Sequence, residues 1–163
     1  MSVSIAPYAD AQRDGVRDLI VPIQQQEFEI PITYADQPDL QDIPGFYRKR
    51  AGEFWVAQNA AGRVVGSIAL IDIGEGRGAL RKMFVHPDFR GREHGVARRL
   101  LDTLLAHARD RGLTEVLLGT TAKFLAAHRF YEKAGFELVE EADLPASFPR
   151  MSVDTRFYRL RLV

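Results

Sequence analysis

Leu80-Arg81-Lys82-Met83-Phe84-Val85-His86-Pro87-Asp88-Phe89-Arg90-Gly91-Arg92-Glu93-His94-Gly95-Val96-Ala97 is the stretch on which the reading of this chain turns. Its first six residues read as a strand, closed by His86-Pro87. Its end opens an amphipathic helix: Val96, Ala97, Leu100, Leu101, Leu104, Leu105 and Ala108 fall on one face, Arg98, Arg99, Asp102 and Arg109 on the other, and Gly112 stands where a C-terminal cap belongs. A turn between a strand end and a helix start presents unpaired backbone N–H groups and the positive end of the helix dipole to one point. That point attracts a phosphate. Gly91 and Gly95 remove side chains where a ligand must approach the main chain, and Arg90 and Arg92 add cationic partners. The spacing fits neither the dinucleotide fingerprint G-x-G-x-x-G nor the ATP-binding loop G-x-x-x-x-G-K-[ST]. A glycine turn with no ligand is the bland alternative, but such a turn does not need so many arginines.

Upstream of this stretch, Val3 and Ile5 alternate as a short strand ending at Pro7, and Val16, Leu19, Ile20 and Ile23 recur at helical spacing from a start at Asp10. Between Gln24 and Pro44 the pattern breaks, with three prolines and the carboxylates Glu27, Glu29, Asp36, Asp39 and Asp42. A loop that long inside a compact domain is either functional or a solvated connection, here carrying a short helix near Phe46 to Arg50. The runs Glu53 to Gln58 and Val64 to Ile71 flank Asn59-Ala60-Ala61-Gly62 and read as a hairpin. Glycines at 74, 76 and 78 then mark a break before the strand Leu80 to Val85.

Downstream, Glu115 to Leu118 is short and apolar, so strand, helix and strand form a right-handed crossover with parallel strands. A helix from about Phe124 to Lys133 stops at Gly135, and strands follow around Phe136 to Val139 and Arg156 to Leu162. The expected architecture is an α/β domain over residues 1–163 with a mixed sheet and helices on both faces.

Composition narrows the function. Lys plus Arg is 22 and Asp plus Glu is 22, so no net field favours nucleic acid or an anionic membrane. The absence of cysteine excludes disulfides, thiolate metal sites and a catalytic thiol, and suits the cytoplasm. No apolar run is long enough to span a bilayer, and the first residues lack a leader pattern. The histidines 86, 94, 107 and 128 have no metal-binding spacing, so no metal is expected. His94 is read as present for its backbone N–H and His128 as a helix-surface residue.

Strand, Val85-His86-Pro87-Asp88-Phe89-Arg90-Gly91 and an apolar helix together resemble motif A of the GCN5-related N-acetyltransferases. Ala127-His128-Arg129-Phe130-Tyr131-Glu132-Lys133-Ala134-Gly135-Phe136 resembles the second signature of that family, in the matching order and separation. The resemblance implies a central, mostly antiparallel sheet whose parallel strands, near 80–85 and 115–118, splay apart. It also implies that acetyl-CoA, as co-substrate, enters the wedge. The implied cofactor-binding residues are Met83, Phe84 and Val85 along the strand, then Arg90, Gly91, Arg92, Glu93, His94, Gly95 and Val96 over the pyrophosphate. Three positions depart from the family pattern: Glu93 replaces a glycine, Phe124 replaces an asparagine, and Ala79 stands where members often carry a glutamate base.

The implied reaction is direct attack of an amine on the thioester, with Tyr131 protonating the departing thiolate; periodicity alone reads Tyr131 as core. Main-chain N–H groups near Met83 are candidates for stabilising the oxyanion. Glu27, Glu29 and Glu75 are weak candidates for attracting or deprotonating the amine, and the carboxylates between 27 and 42 for an acidic pocket. Arg150 or Arg156 would instead select a carboxylate-bearing acceptor such as an amino acid. The expected partners are acetyl-CoA and a primary amine of a small molecule or amino acid, and a homodimer is compatible with this reading. The alternatives are a catalytically silent acyl-CoA sensor and an enzyme acting on a protein or peptide amine.

Overall fold

The computed structural model describes residues 2–91, 94–121, 125–151 and 153–162. Strands β1 (Val3–Pro7), β2 (Glu53–Asn59), β3 (Val64–Gly74), β4 (Arg77–Val85), β5 (Glu115–Thr120), β6 (Glu137–Val139) and β7 (Arg156–Arg161) form one sheet in the order β1-β2-β3-β4-β5-β7-β6. Neighbours are antiparallel except β4 and β5, which run parallel because α4 (Val96–Asp110) carries the chain between them. Helices α1 (Arg13–Pro22), α2 (Pro38–Gln41) and α3 (Ile43–Tyr47) cover one face, while α4 and α5 (Leu125–Lys133) cover the other.

Alternation along the strands decides which side chain enters which core. Trp55, Ala57, Ile68 and Leu70 pack with Leu100, Leu101 and Leu104 of α4, whereas Phe54, Val56 and Ala69 pack with Val16, Leu19 and Ile20 of α1. Two expectations shift. The segment 24–44 is largely ordered: α1 continues through a π-turn at Ile23–Glu27, where the Phe28 N–H donates to the Ile23 carbonyl at 3.0 Å, and α2 and α3 follow. The short helix lies at 43–47 because Asp42 caps it by accepting from the Gly45 N–H at 3.1 Å and Pro44 fits its first turn. The break expected around Gly78 is instead strand. A Cβ there would lie 2.6 Å from Leu70, so glycine is needed for packing and not for turning.

Two irregularities in β4 make the site. Its pairing with β5 covers only Arg77, Gly78 and Ala79, opposite Glu115, Val116 and Leu117. Beyond Ala79 the two strands diverge. On its other edge, Ser67 pairs with Phe84 and Ala69 with Arg81, so Ile68 alone opposes both Lys82 and Met83. This is a β-bulge, and Lys82 takes the left-handed conformation at φ 53°. Both Arg81 and Lys82 therefore turn toward the α1–α3 face, while Leu80, Met83 and Val85 serve the α4 core. Among the described residues, no helix is long and apolar enough to cross a membrane.

Candidate active site

The divergence of β4 from β5 opens a cleft of about 650 Å³. Leu80 to Val85 form one wall, Leu118 to Thr121 with α5 the other, and the π-turn and the loop before β7 close the remaining sides. Where β4 has left β5, its free edge can pair with an extended ligand. At the far end α4 begins at Gly95, which sits at φ 63° and supplies no side-chain cap. The first bond into the helix is Arg99 N–H to Gly95 O, so the N–H groups of Val96 to Arg98 precede the ladder and are available to an anion. The His94 and Gly95 N–H groups both donate to the Gly91 carbonyl, at 3.3 and 3.2 Å, which corrects the expectation for His94. Gly91 itself is at φ 106°. The expected cofactor contacts at Arg92 and Glu93, and the departure at Phe124, lie outside the described residues.

Arg90 and Glu27 reach the cleft together but bind each other. The guanidinium meets both carboxylate oxygens, at 2.7 and 3.0 Å, and its Nε donates to the Val85 carbonyl at 2.9 Å. This fork ties the π-turn to the end of β4 and engages both oxygens of Glu27 in an ion pair with which an amine would have to compete. Glu29 and Glu75 do not line the cleft; Glu75 sits at the β3–β4 hairpin, paired with Arg77. Nor do the carboxylates of 27–42 make an acidic pocket. Asp36 accepts from the Thr33 N–H, Asp42 caps α3, and Asp39 is buried.

Asp39 belongs to a polar network that sequence reading did not foresee. It accepts from the Tyr47 hydroxyl at 2.5 Å and lies 3.6 Å from Lys82 Nζ. Lys82 Nζ also donates to Gln37, at 2.7 Å, and Gln37 exchanges amide hydrogen bonds with Gln24. Burial lowers the Lys82 pKa, with Asp39 opposing it, and burial reinforced by Asp39 raises that of Tyr47 well above the phenol range. The network fixes the cleft wall at the bulge. Asp39→Ala is expected to cost about 3 kcal/mol in urea unfolding, the low end for breaking a buried pair because Lys82 can shed its proton. A loss below ~1 kcal/mol would show that the pair does not hold this wall.

The side of the cleft formed by the loop before β7 has its own charges. Arg150 is occupied by the carbonyls of Leu144, Pro145 and Phe148 and by Glu141, and Arg156 by the Tyr158 hydroxyl and Glu132, so both brace the C-terminal segment. Neither lines the cleft, which corrects their assignment to the acceptor. Arg81 does line it. Its hydrogen-bond contact among the described residues is the Met151 sulfur at 3.8 Å, and it makes no ion pair with a described carboxylate. Ala79 is fully buried in a cluster with Leu117 and Phe148.

Tyr131 joins both of its sequence readings. It is 6% exposed in an aromatic group with Phe130, Phe136 and Tyr158, and it also lines the cleft. No described group hydrogen-bonds its hydroxyl, and the residue contributes to the cleft wall beside Phe130 and Ala127. Burial pushes its pKa well above the ordinary phenol value, keeping it protonated. His128, expected on the surface, is buried with Nε2 2.8 Å from the Thr121 carbonyl. Among the described residues no cluster could hold a metal ion.

A model of the acetyltransferase (GNAT) family matches residues 17–136. N-acetylaspartate synthetase of Danio rerio is 34% identical over 141 residues, which are 82% of this chain and 49% of the relative. N-acetyltransferase family 8 member 2 of Rattus norvegicus is 36% identical over 104 residues, 62% of this chain and 46% of the relative. The chain spans about half the length of these relatives. An acetyltransferase of GNAT family from Staphylococcus aureus Mu50 superposes with a TM-score of 0.93 at 35% identity, covering 99% of this chain and 100% of the other. Two signatures in order, a sheet that opens between its parallel strands, a helix start left bare at the mouth of that opening, and a family match over most of the sequence agree: this chain belongs to the GNAT acetyltransferase family.

Proposed function

We propose that the protein transfers the acetyl group of acetyl-CoA to the primary amine of a small acceptor that carries a carboxylate, as an amino acid does. The observation that carries this reading is Arg81, a cleft-lining guanidinium that forms no close ion pair with a described carboxylate, although it feels the charge of Asp154. A fixed fork of N–H donors in a half-buried site recognises a carboxylate in two-point fashion. The relative named N-acetylaspartate synthetase supports an acceptor of this chemistry.

The cleft divides the labour. The free edge of β4 from Met83 to Val85 and the start of α4 suit the pantetheine and pyrophosphate of acetyl-CoA. The amine attacks the thioester carbon directly, main-chain N–H donors near the bulge stabilise the oxyanion, and Tyr131 protonates the leaving thiolate. Burial keeps this phenol protonated until the thiolate departs beside it.

The test is release of CoA thiol with a panel of amines that differ in the presence of a carboxylate. Amino acids are expected to outrun their decarboxylated counterparts. Arg81→Met should remove that preference, lowering kcat/KM for the carboxylate-bearing acceptor by ~10- to 150-fold, the worth of a hydrogen bond to a charged group. Equal use of both classes by wild type would sink the acceptor assignment and leave acetyl transfer standing.

A further inference from the structure

Asp154 precedes β7, and the loop that carries it is fixed at both sides: its own N–H donates to the Met151 carbonyl at 3.0 Å, and the Thr155 N–H to the Thr120 carbonyl at 3.0 Å. Its side chain is half-buried and lines the cleft. It lies over Gly119 of β5, where a Cβ would be only 2.6 Å from Asp154 Oδ2. Glycine is thus required at 119 for the carboxylate to occupy this place. Gly119 is two residues beyond Leu117, the last partner of β4, so the carboxylate stands where the strands have just separated. The cleft is lined by only one other described carboxylate, Glu27, and both oxygens of Glu27 are held by Arg90.

We propose that Asp154 is the base that takes the proton from the acceptor's ammonium group, replacing from the β7 side the carboxylate that β4 lacks at Ala79. The assignment rests on the acetyltransferase reading above. Asp154 accepts one proton from R–NH3⁺, giving the R–NH2 that attacks, and later releases it to solvent. As the new N–C bond forms and the C–S bond breaks, nitrogen sheds a second proton, which balances the one acquired by the thiolate. Net, one amide, one thiol and one proton are produced.

The surroundings suit the role. Burial raises the Asp154 pKa, making it a stronger base than a free carboxylate, against smaller opposing effects from Arg81 and from the Met151 N–H. Of the elements packed against it, β4 brings Arg81, while Gly119 of β5 and Phe157 of β7 bring no charge. Arg81 and Asp154 together match the two charges of an amino acid.

The experiment measures Asp154→Asn, which keeps the shape and the acceptor atom for the Met151 N–H. Turnover at neutral pH is expected to fall by ~10²- to 10⁴-fold, the usual worth of general-base help, with CoA affinity and melting temperature preserved. The pH profile distinguishes a base from a brace. Without a base, the rate should climb about tenfold per pH unit toward the amine's own pKa, ~8 for an α-amino group to ~10 for an alkyl amine, while wild type stays level above the Asp154 pKa. Turnover within about threefold of wild type overturns the proposal, and so does a fall that leaves the shape of the profile unchanged. Wild-type protein that releases no CoA with any amine overturns the acetyltransferase reading and this assignment with it. Active wild type beside an undisturbed Asp154→Asn overturns this assignment alone.

Discussion

Replacing Tyr131 with phenylalanine is expected to lower turnover by ~10²- to 10⁴-fold with the fold and CoA binding intact. The ring carries the packing: its neighbours Phe130, Phe136 and Tyr158 touch it edge-on or tilted at centroid distances of 5.4 to 6.2 Å, and phenylalanine retains all three. The hydroxyl has no hydrogen-bond partner among the described residues, so its removal leaves none of them orphaned. What disappears is the phenolic proton of a cleft-lining residue. The rate should be measured over a single turnover, so that product release does not mask the chemistry, alongside the melting temperature. A variant with wild-type single-turnover rate would end the acid assignment. One that melts markedly lower would show that the ring's packing had been disturbed.

Gly95→Val is expected to weaken CoA binding by ~10²-fold or more, the loss of two charge-assisted hydrogen bonds at the start of α4. Two causes act together. The side chain would stand where the pyrophosphate approaches Val96 to Arg98, and a β-branched residue at φ 63° is strained by roughly 1–2 kcal/mol. Gly95→Asn separates them, because asparagine tolerates the left-handed conformation but still adds a side chain. Calorimetry should therefore find both variants weakened and only the valine variant destabilised. Undiminished affinity in a folded Gly95→Val protein would remove the anion site from this helix start.

The scaffold was legible because its signals are local. Strand alternation, the apolar stripe of α4 and the turn at Gly91 lie within windows of a few residues, and the two signatures fixed the order of the central elements. The proposed acceptor site was less legible because its contacts are not local. Arg90 and Glu27 are 63 residues apart, Lys82 and Gln37 are 45 apart, and no periodicity ties them. Arg150 and Arg156 were plausible acceptor residues only while their carbonyl, hydroxyl and carboxylate partners were unseen. Arg81 did leave a trace. Two successive cations inside a buried strand would, by strict alternation, place one on each face, and burying an unpartnered charge in either core is costly. That conflict is the visible mark of the bulge. Asp154 left none: a lone carboxylate in a loop rich in polar residues looks like any solvated one.

The bulge at Lys82 also acts as a change of phase. Before it, odd-numbered side chains of β4 point away from the α4 core, Ala79 toward Leu144 and Phe148 and Arg81 toward Met151; after it, even-numbered ones do, Lys82 and Phe84. One strand can thus hand Leu80, Met83 and Val85 to the α4 core and still turn two adjacent cations away from it. The identity of a residue here is negotiable; the count is not, since one residue more or fewer between Ala79 and Val85 exchanges the two faces for everything beyond.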